Sequence, residues 1–259
     1  MVAAQEMVMK ASRAAVTAII GSTLLLVPAQ AAEVKVVTTA AMSGAFKELI
    51  PQFEATSGHK VTVQYHATPV VLKQIESGEA FDLAIGVASA FKSAKEGLFT
   101  GPQTPISTVG LGVAVRAGAP KPDLRSPDSF KKALLEAKSV AILPESVNGK
   151  HFLSVFERLG IGEQMKAKTK LQNEPPQVPQ AVAKGEAELG LFVSNLLIGA
   201  PGVDYAGPIP ADFQQTLVFT AALGAKAKEP AAADAFVKYL QSPAATAVIK
   251  AHGMEIPKT

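Results

Sequence analysis

Short, nearly continuous apolar runs alternate along this chain with longer amphipathic stretches, and that alternation leaves few folds open to it. Val34-Lys35-Val36-Val37-Thr38, Val61-Thr62-Val63-Gln64-Tyr65 and Phe81-Asp82-Leu83-Ala84-Ile85 read as strands, as do the segments 140–143, 189–193 and 217–222. A strand that is apolar on both faces must be covered on both faces, and helices between successive strands do this in parallel-sheet α/β proteins. The intervening stretches fit. Ala45, Phe46, Leu49, Ile50 and Phe53 share one helical face that closes near Ser57-Gly58. Thr68-Pro69 reads as an N-cap followed by proline at the first helical position, opening a helix that runs to Gly78. Further helices are expected at 128–137, 150–159, 178–184, 231–240 and 243–251. Segment 109–115 reads as one strand ending at Arg116, 144–149 as a loop and 204–206 as a short strand, while 160–176 has little periodicity.

At 259 residues the length gives a prior of about two domains, taking roughly 150 residues for each. With 48% hydrophobic and 18% charged residues the chain can bury a sizeable core, which excludes wholesale disorder. The net charge of +3 is small for this length and Lys and Arg never run beyond two, so no nucleic-acid footprint is present. Cysteine is absent, which removes disulfides, thiolate metal sites and cysteine nucleophiles. At the N-terminus Lys10 and Arg13 precede fourteen uncharged residues, 14–27, then Pro28 and Ala29-Gln30-Ala31. This is the pattern of a secretory signal peptide cleaved near Ala31, and the apolar run falls short of the roughly 20 residues of a spanning helix. The mature protein is therefore expected in the periplasm.

No catalytic motif emerges: there is no H-E-x-x-H, G-x-S-x-G, Walker loop or full G-x-G-x-x-G. His59, His66, His151 and His252 lack metal-ligand spacing. His59 and His252 read as solvated, whereas His66 and His151 lie at strand-to-helix junctions and stand between ligand contact and plain surface. Ser43 has no base placed for it and reads as a helix cap. What remains is a set of helix starts after strands, at 38–44, 65–70, 144–151 and 193–195. Free N–H groups and the positive end of the helix dipole bind anions at such places without a charged side chain.

The same segments resemble a known family, the molybdate-binding-protein-like periplasmic solute-binding proteins of ABC importers, over about 34–256. The likeness is carried by Val36-Val37-Thr38-Thr39-Ala40-Ala41-Met42-Ser43-Gly44-Ala45-Phe46, by Lys73-Gln74-Ile75-Glu76-Ser77-Gly78, by Gly185-Glu186-Ala187-Glu188-Leu189-Gly190 and by Tyr239-Leu240-Gln241-Ser242-Pro243-Ala244-Ala245. It implies the type II periplasmic binding protein fold, with two Rossmann-like α/β lobes joined by two crossing strands. By analogy lobe one is 32–112 plus 217–259 and lobe two is 113–216, after a signal peptide at 1–31, with crossings near Gly112 and 217–223.

Carried over residue by residue, the family's molybdate contacts mostly fail. Its first serine falls on Ala41 beside Met42 and Ser43, its second hydroxyl on Thr68, its lobe-two backbone donors near Asn148 and on Val178, and its pocket tyrosine on Val193, next to Ser194. Each donor missing from a buried charged ligand costs about 1.5–3 kcal/mol. The resemblance thus implies a receptor that closes on a small anionic solute other than molybdate and hands it to an ABC permease. Gly149, His66 and His151 are further candidates for ligand contact. No cofactor, metal or nucleic acid is expected, and the protein is expected to act as a monomer and not as an enzyme. The alternatives are a ligand sensor without transport and, less favoured, an exported hydrolase.

Overall fold

The computed structural model describes residues 31–257; the expected signal peptide therefore lies outside the described residues, apart from Ala31. The chain begins with β1 (Glu33–Thr39), α1 (Ser43–Ser57), β2 (Lys60–His66), α2 (Thr68–Glu76), β3 (Leu83–Val87), α3 (Ala88–Phe91) and β4 (Phe99–Val109). It continues with β5 (Leu111–Arg116), α4 (Pro127–Glu136), β6 (Val140–Ile142), α5 (Val147–Arg158), α6 (Gly162–Lys168), β7 (Thr169–Leu171), α7 (Gln177–Ala183), β8 (Leu189–Val193), α8 (Ser194–Leu197) and β9 (Val203–Pro208). It closes with β10 (Leu217–Gly224), α9 (Pro230–Leu240) and α10 (Pro243–Ala251).

Two five-stranded sheets result, in the orders β2-β1-β3-β10-β4 and β7-β6-β8-β5-β9. In each, three neighbouring strands run parallel, and the fourth runs antiparallel to the third. That fourth strand follows directly on a strand of the other sheet, β10 after β9 and β5 after β4. This double exchange is the crossing expected of the type II fold. The parallel strands earn their double cover: all five residues of β3 and all five of β8 are buried. Phe46, Phe53, Phe236 and Tyr239 pack with T-shaped and tilted rings between α1 and α9, with ring centroids 4.9–5.6 Å apart for the three closest pairs. Asp82, 3% exposed, takes N–H donations from Lys35, Lys228 and Glu229 at 2.6–3.0 Å and so ties the loop before α9 to β1.

Two sequence readings need correction, and one strand was not read from the sequence at all. Segment 109–115 is not one strand: the chain changes sheet at Gly110, so Gly112 already lies inside β5, paired with Phe192 and Pro208. The stretch before it is an eleven-residue strand, β4, disguised in sequence by Gly101, Pro102 and Pro105. Those residues sit at the sheet edge, where a missing N–H and an irregular register are tolerated. The half of the loop 144–149 nearest α5 is helical, because the Ser146 hydroxyl caps the helix by accepting from the Gly149 N–H at 2.9 Å.

At the crossing, the Gln214 carboxamide accepts from the Leu111 N–H at 2.7 Å and donates to the Leu111 carbonyl at 3.0 Å. One side chain thus joins the two connections between sheets. The Ser194 N–H adds a bond to the Gly110 carbonyl at 2.9 Å.

Candidate functional site

The C-terminal ends of the parallel strands in both sheets face one cleft. From the first sheet come Thr39 at the end of β1, Ala40 and Ala41 just after it, Ala67 and Thr68 at the start of α2, Val87 at the end of β3, and Leu217 and Phe219 of β10. From the second come Leu143, Ser146, Val147 and Asn148 around the start of α5, Pro175 before α7, Phe192 and Val193 at the end of β8, and Leu196 of α8. The cleft is closed across its side by one bond between the halves, from Asn195 Nδ2 to the Ala41 carbonyl at 2.8 Å.

Its polar end is made of donors that the protein leaves free. In α5, Gly149 N–H is taken by Ser146 Oγ and Lys150 N–H by the Ser146 carbonyl, leaving the Val147 and Asn148 N–H groups without an intrahelical acceptor. The Asn148 side chain, 4% exposed, adds a buried Nδ2 with no partner. An unpaired buried amide of this kind costs about 1–3 kcal/mol, which an acceptor on a ligand would remove. In α2, Pro69 has no N–H, and Val70 and Val71 both donate to the Ala67 carbonyl at 2.9 and 3.1 Å. The Thr68 N–H is what remains there. Thr68 is not the N-cap expected from sequence but the first helical residue after Ala67, because its hydroxyl reaches across to accept from the Val87 N–H at 3.3 Å.

The remaining wall is apolar, formed by Val87, Leu143, Phe192, Val193, Leu196, Leu217 and Phe219. No lining residue carries an ionisable side chain. Burial raises the phenol pKa values of Tyr65 and Tyr205, but both lie outside the lining.

Of the residues singled out from sequence, Ala41, Thr68, Asn148 and Val193 meet in this cleft. The others do not line it. Met42 is core with no exposed surface, and its sulfur accepts from the Ser107 hydroxyl. Ser43 is the first residue of α1 behind the N-cap Met42, not a cap itself, and opens on a neighbouring cavity. Val178 is fully buried beneath Gly190 of β8. Gly149 packs its backbone against the Leu143 carbonyl. Ser194 turns its N–H to the crossing, His66 ends β2, and His151 Nε2 is tied to the Phe213 carbonyl at 2.6 Å. Thr39 and Ser146 are the polar lining residues that the sequence reading passed over. Both lay inside the helix-start segments 38–44 and 144–151, so the segment signal was there and the choice of side chain was not.

Residues 34–255 match the model of the family described as bacterial extracellular solute-binding protein. The chain belongs to that family. The molybdate-binding protein ModA of Azotobacter vinelandii is 32% identical over 244 residues, covering 90% of this chain and 94% of that one. The periplasmic molybdate-binding protein of Azotobacter vinelandii has a solved structure that superposes with a TM-score of 0.73 at 26% identity, covering 87% of this chain and 100% of that chain. A protein named aconitate isomerase, from Pseudomonas sp, is 30% identical over 248 residues, covering 92% of this chain and 93% of its own length. As an extracellular solute-binding protein the chain works outside the cytoplasm, and among the described residues no helix is long and apolar enough to cross a membrane.

Proposed function

We propose that this protein is an exported, monomeric receptor that binds a small carboxylate between two lobes and delivers it to an ABC permease, after removal of a signal peptide near Ala31. The lobes are taken as 31–109 with 217–257, and 111–213, hinging where the strands cross. The observation that carries the ligand class is the cleft's division into two ends: unpaired donors at Asn148, Val147 and Thr68, and an apolar wall where a tetrahedral oxyanion would need more donors. A carboxylate with a carbon body matches both ends. A bare oxyanion matches only one. Closure follows because donors from both halves reach the ligand together only when the halves meet.

Thermal unfolding with and without candidate solutes tests this. A carboxylate at about a hundred times its Kd should stabilise the folded chain by about 2.7 kcal/mol, while micromolar molybdate, tungstate and sulfate should not shift the midpoint. A large shift with micromolar molybdate would overturn the assignment.

The relative named aconitate isomerase motivates a second reading, in which the bound carboxylate is isomerised. Its name also supports a carboxylate as the ligand class. Against turnover stands the lining itself, which offers no side-chain acid or base to move a proton. Proton NMR of cis-aconitate incubated with the protein decides it: appearance of the trans isomer establishes catalysis, and its absence with demonstrated binding favours the receptor.

A further inference from the structure

We infer that the cleft selects a monocarboxylate whose carbon body bears no second charged or polar group. The inference rests on the reading of the cleft as a carboxylate site, and it narrows the ligand to one chemical class within that reading.

The polar lining has room for a single anionic group. Among the described residues only Thr39, Thr68, Ser146 and Asn148 bring polar side chains to the cleft, and no lining side chain is ionisable. Three of the four are already engaged with the main chain. Ser146 Oγ donates to the Leu143 carbonyl at 2.7 Å and accepts from the Gly149 N–H at 2.9 Å, so its proton serves the loop before α5 and its lone pair the helix cap. Thr68 Oγ1 accepts from the Val87 N–H at 3.3 Å, and Thr39 Oγ1 accepts from the Ala41 N–H at 3.5 Å. Asn148 is the exception, 4% exposed with its Nδ2 unpartnered. It stands with the free Val147 and Asn148 N–H groups at the first turn of the twelve-residue helix α5. These donors are neutral, and the helix end behind them is equivalent to about half a positive charge. Such a site offsets one carboxylate and leaves nothing over for a second.

The carbon body meets a different surface. Val87, Leu217 and Phe219 come to it from the first half and Leu143, Phe192 and Val193 from the second, each no more than 5% exposed. Their main chain gives a ligand little more than their side chains do. Phe192 and Val193 pair with Gly112 and Leu111 across β5, and Leu217 and Phe219 pair with Val109 and Ser107 across β4. The Val87 N–H is taken by Thr68. A hydroxyl, an ammonium or a second carboxylate against this wall would be buried without a partner, which is unfavourable, whereas each methylene gains by the same burial. Because both halves supply the wall, closing the cleft and excluding a polar substituent are one event.

Isothermal titration of the mature chain tests this with pairs of nearly equal shape, butanoate with β-hydroxypropanoate and pentanoate with γ-hydroxybutanoate. In the pair whose hydrocarbon member binds more tightly, the hydroxy acid should bind at least about tenfold more weakly. Butanedioate should bind at least about a hundredfold more weakly than butanoate, since its second charge finds no partner. Val193→Thr keeps the side-chain shape and puts a hydroxyl on the wall, so it should narrow the hydrocarbon-to-hydroxy ratio by at least about threefold, the worth of one hydrogen bond. A ratio taken on one variant does not depend on the fraction of it that is folded. Equal affinities within both pairs, or tighter binding of butanedioate or cis-aconitate than of butanoate, overturn the inference and leave the carboxylate reading standing. A ratio unmoved by Val193→Thr overturns the assignment of selectivity to the wall. Failure of every carboxylate to bind the native chain instead removes the reading of the cleft, and this inference with it.

Discussion

The two halves of the cleft share a strand order yet offer a ligand different things. On the first-sheet side, the α2 start is largely committed to the protein: Pro69 has no N–H, two amides serve the Ala67 carbonyl, and the Thr68 hydroxyl holds β3 through Val87. On the second-sheet side, the start of α5 keeps two backbone N–H groups and the Asn148 amide unengaged. In the proposed reading the first half is a frame and the second is the anion grip. On that reading the asymmetry would let a cleft without a single cation select an anion, since the donors left free by a capped helix act where the dipole already favours negative charge.

The largest test of the comparison is at the glycines that let each side approach. A Cβ on Gly149 would run into the Leu143 carbonyl oxygen, and would lie 2.6 Å from that carbonyl carbon and 2.9 Å from Pro144 Cα, all backbone. A Cβ on Gly44, at the start of α1, would meet His252 Nδ1 at 2.8 Å, the movable end of a side chain. Gly149→Ala should therefore cost about 3 kcal/mol of stability and displace the anion grip, while Gly44→Ala should cost under about 1 kcal/mol. Urea denaturation of both variants measures the difference. Equal costs would mean that the α5 start can shift as freely as an imidazole.

Much of this architecture was visible in the sequence, and the misses have physical causes. The runs at 81–85 and 189–193 declared themselves because strands buried on both faces leave no room for polar alternation, whereas 61–65 shows the alternation of an edge strand with one exposed face. β4 escaped because its order comes from pairing with β10, more than a hundred residues away, which overrides its own Gly and Pro content. The start of α5 was read three residues late, because Asn148-Gly149 carries turn chemistry. There the glycine is required by close packing and the asparagine by the cleft, and neither demand has a local signature. Ser43 attracted notice as a serine after a strand, but the 3-10 turn of Ala40–Met42 carries it past the inner cleft. Thr39 and Ser146 went unnoticed because the family analogy pointed to neighbouring positions instead.

Asn148→Leu sharpens the comparison next, because it should move two quantities in opposite directions. Leucine branches at the same carbon as asparagine and, though bulkier, has no polar atoms, so the unliganded protein loses a buried amide that had no partner. Its stability should rise by about 1 kcal/mol. Carboxylate affinity should fall by about tenfold to a hundredfold, the loss of one charge-assisted contact of about 1.5–3 kcal/mol. Chemical denaturation of the free protein and titration of the best carboxylate read the two effects separately. A loss of stability together with unchanged affinity would show that the amide serves the fold and not the ligand.

Thr68→Val makes the mirrored test on the frame side, with a smaller effect. Valine keeps the shape of threonine, including the methyl that approaches the Gly86 backbone, but it cannot accept from the Val87 N–H. That amide is buried and its bond is long at 3.3 Å, so the unliganded protein should lose only about 1 kcal/mol. Affinity should fall as well, by less than tenfold, because the hydroxyl lines the cleft while its main partner is β3. The sign of the stability change is then opposite to that of Asn148→Leu, and the affinity change is smaller. Differential scanning calorimetry and titration on the same two variants give both numbers. If Thr68→Val left the free protein as stable as the native chain and weakened binding as much as Asn148→Leu, the hydroxyl would belong to the grip, and frame and grip would not divide between the two halves.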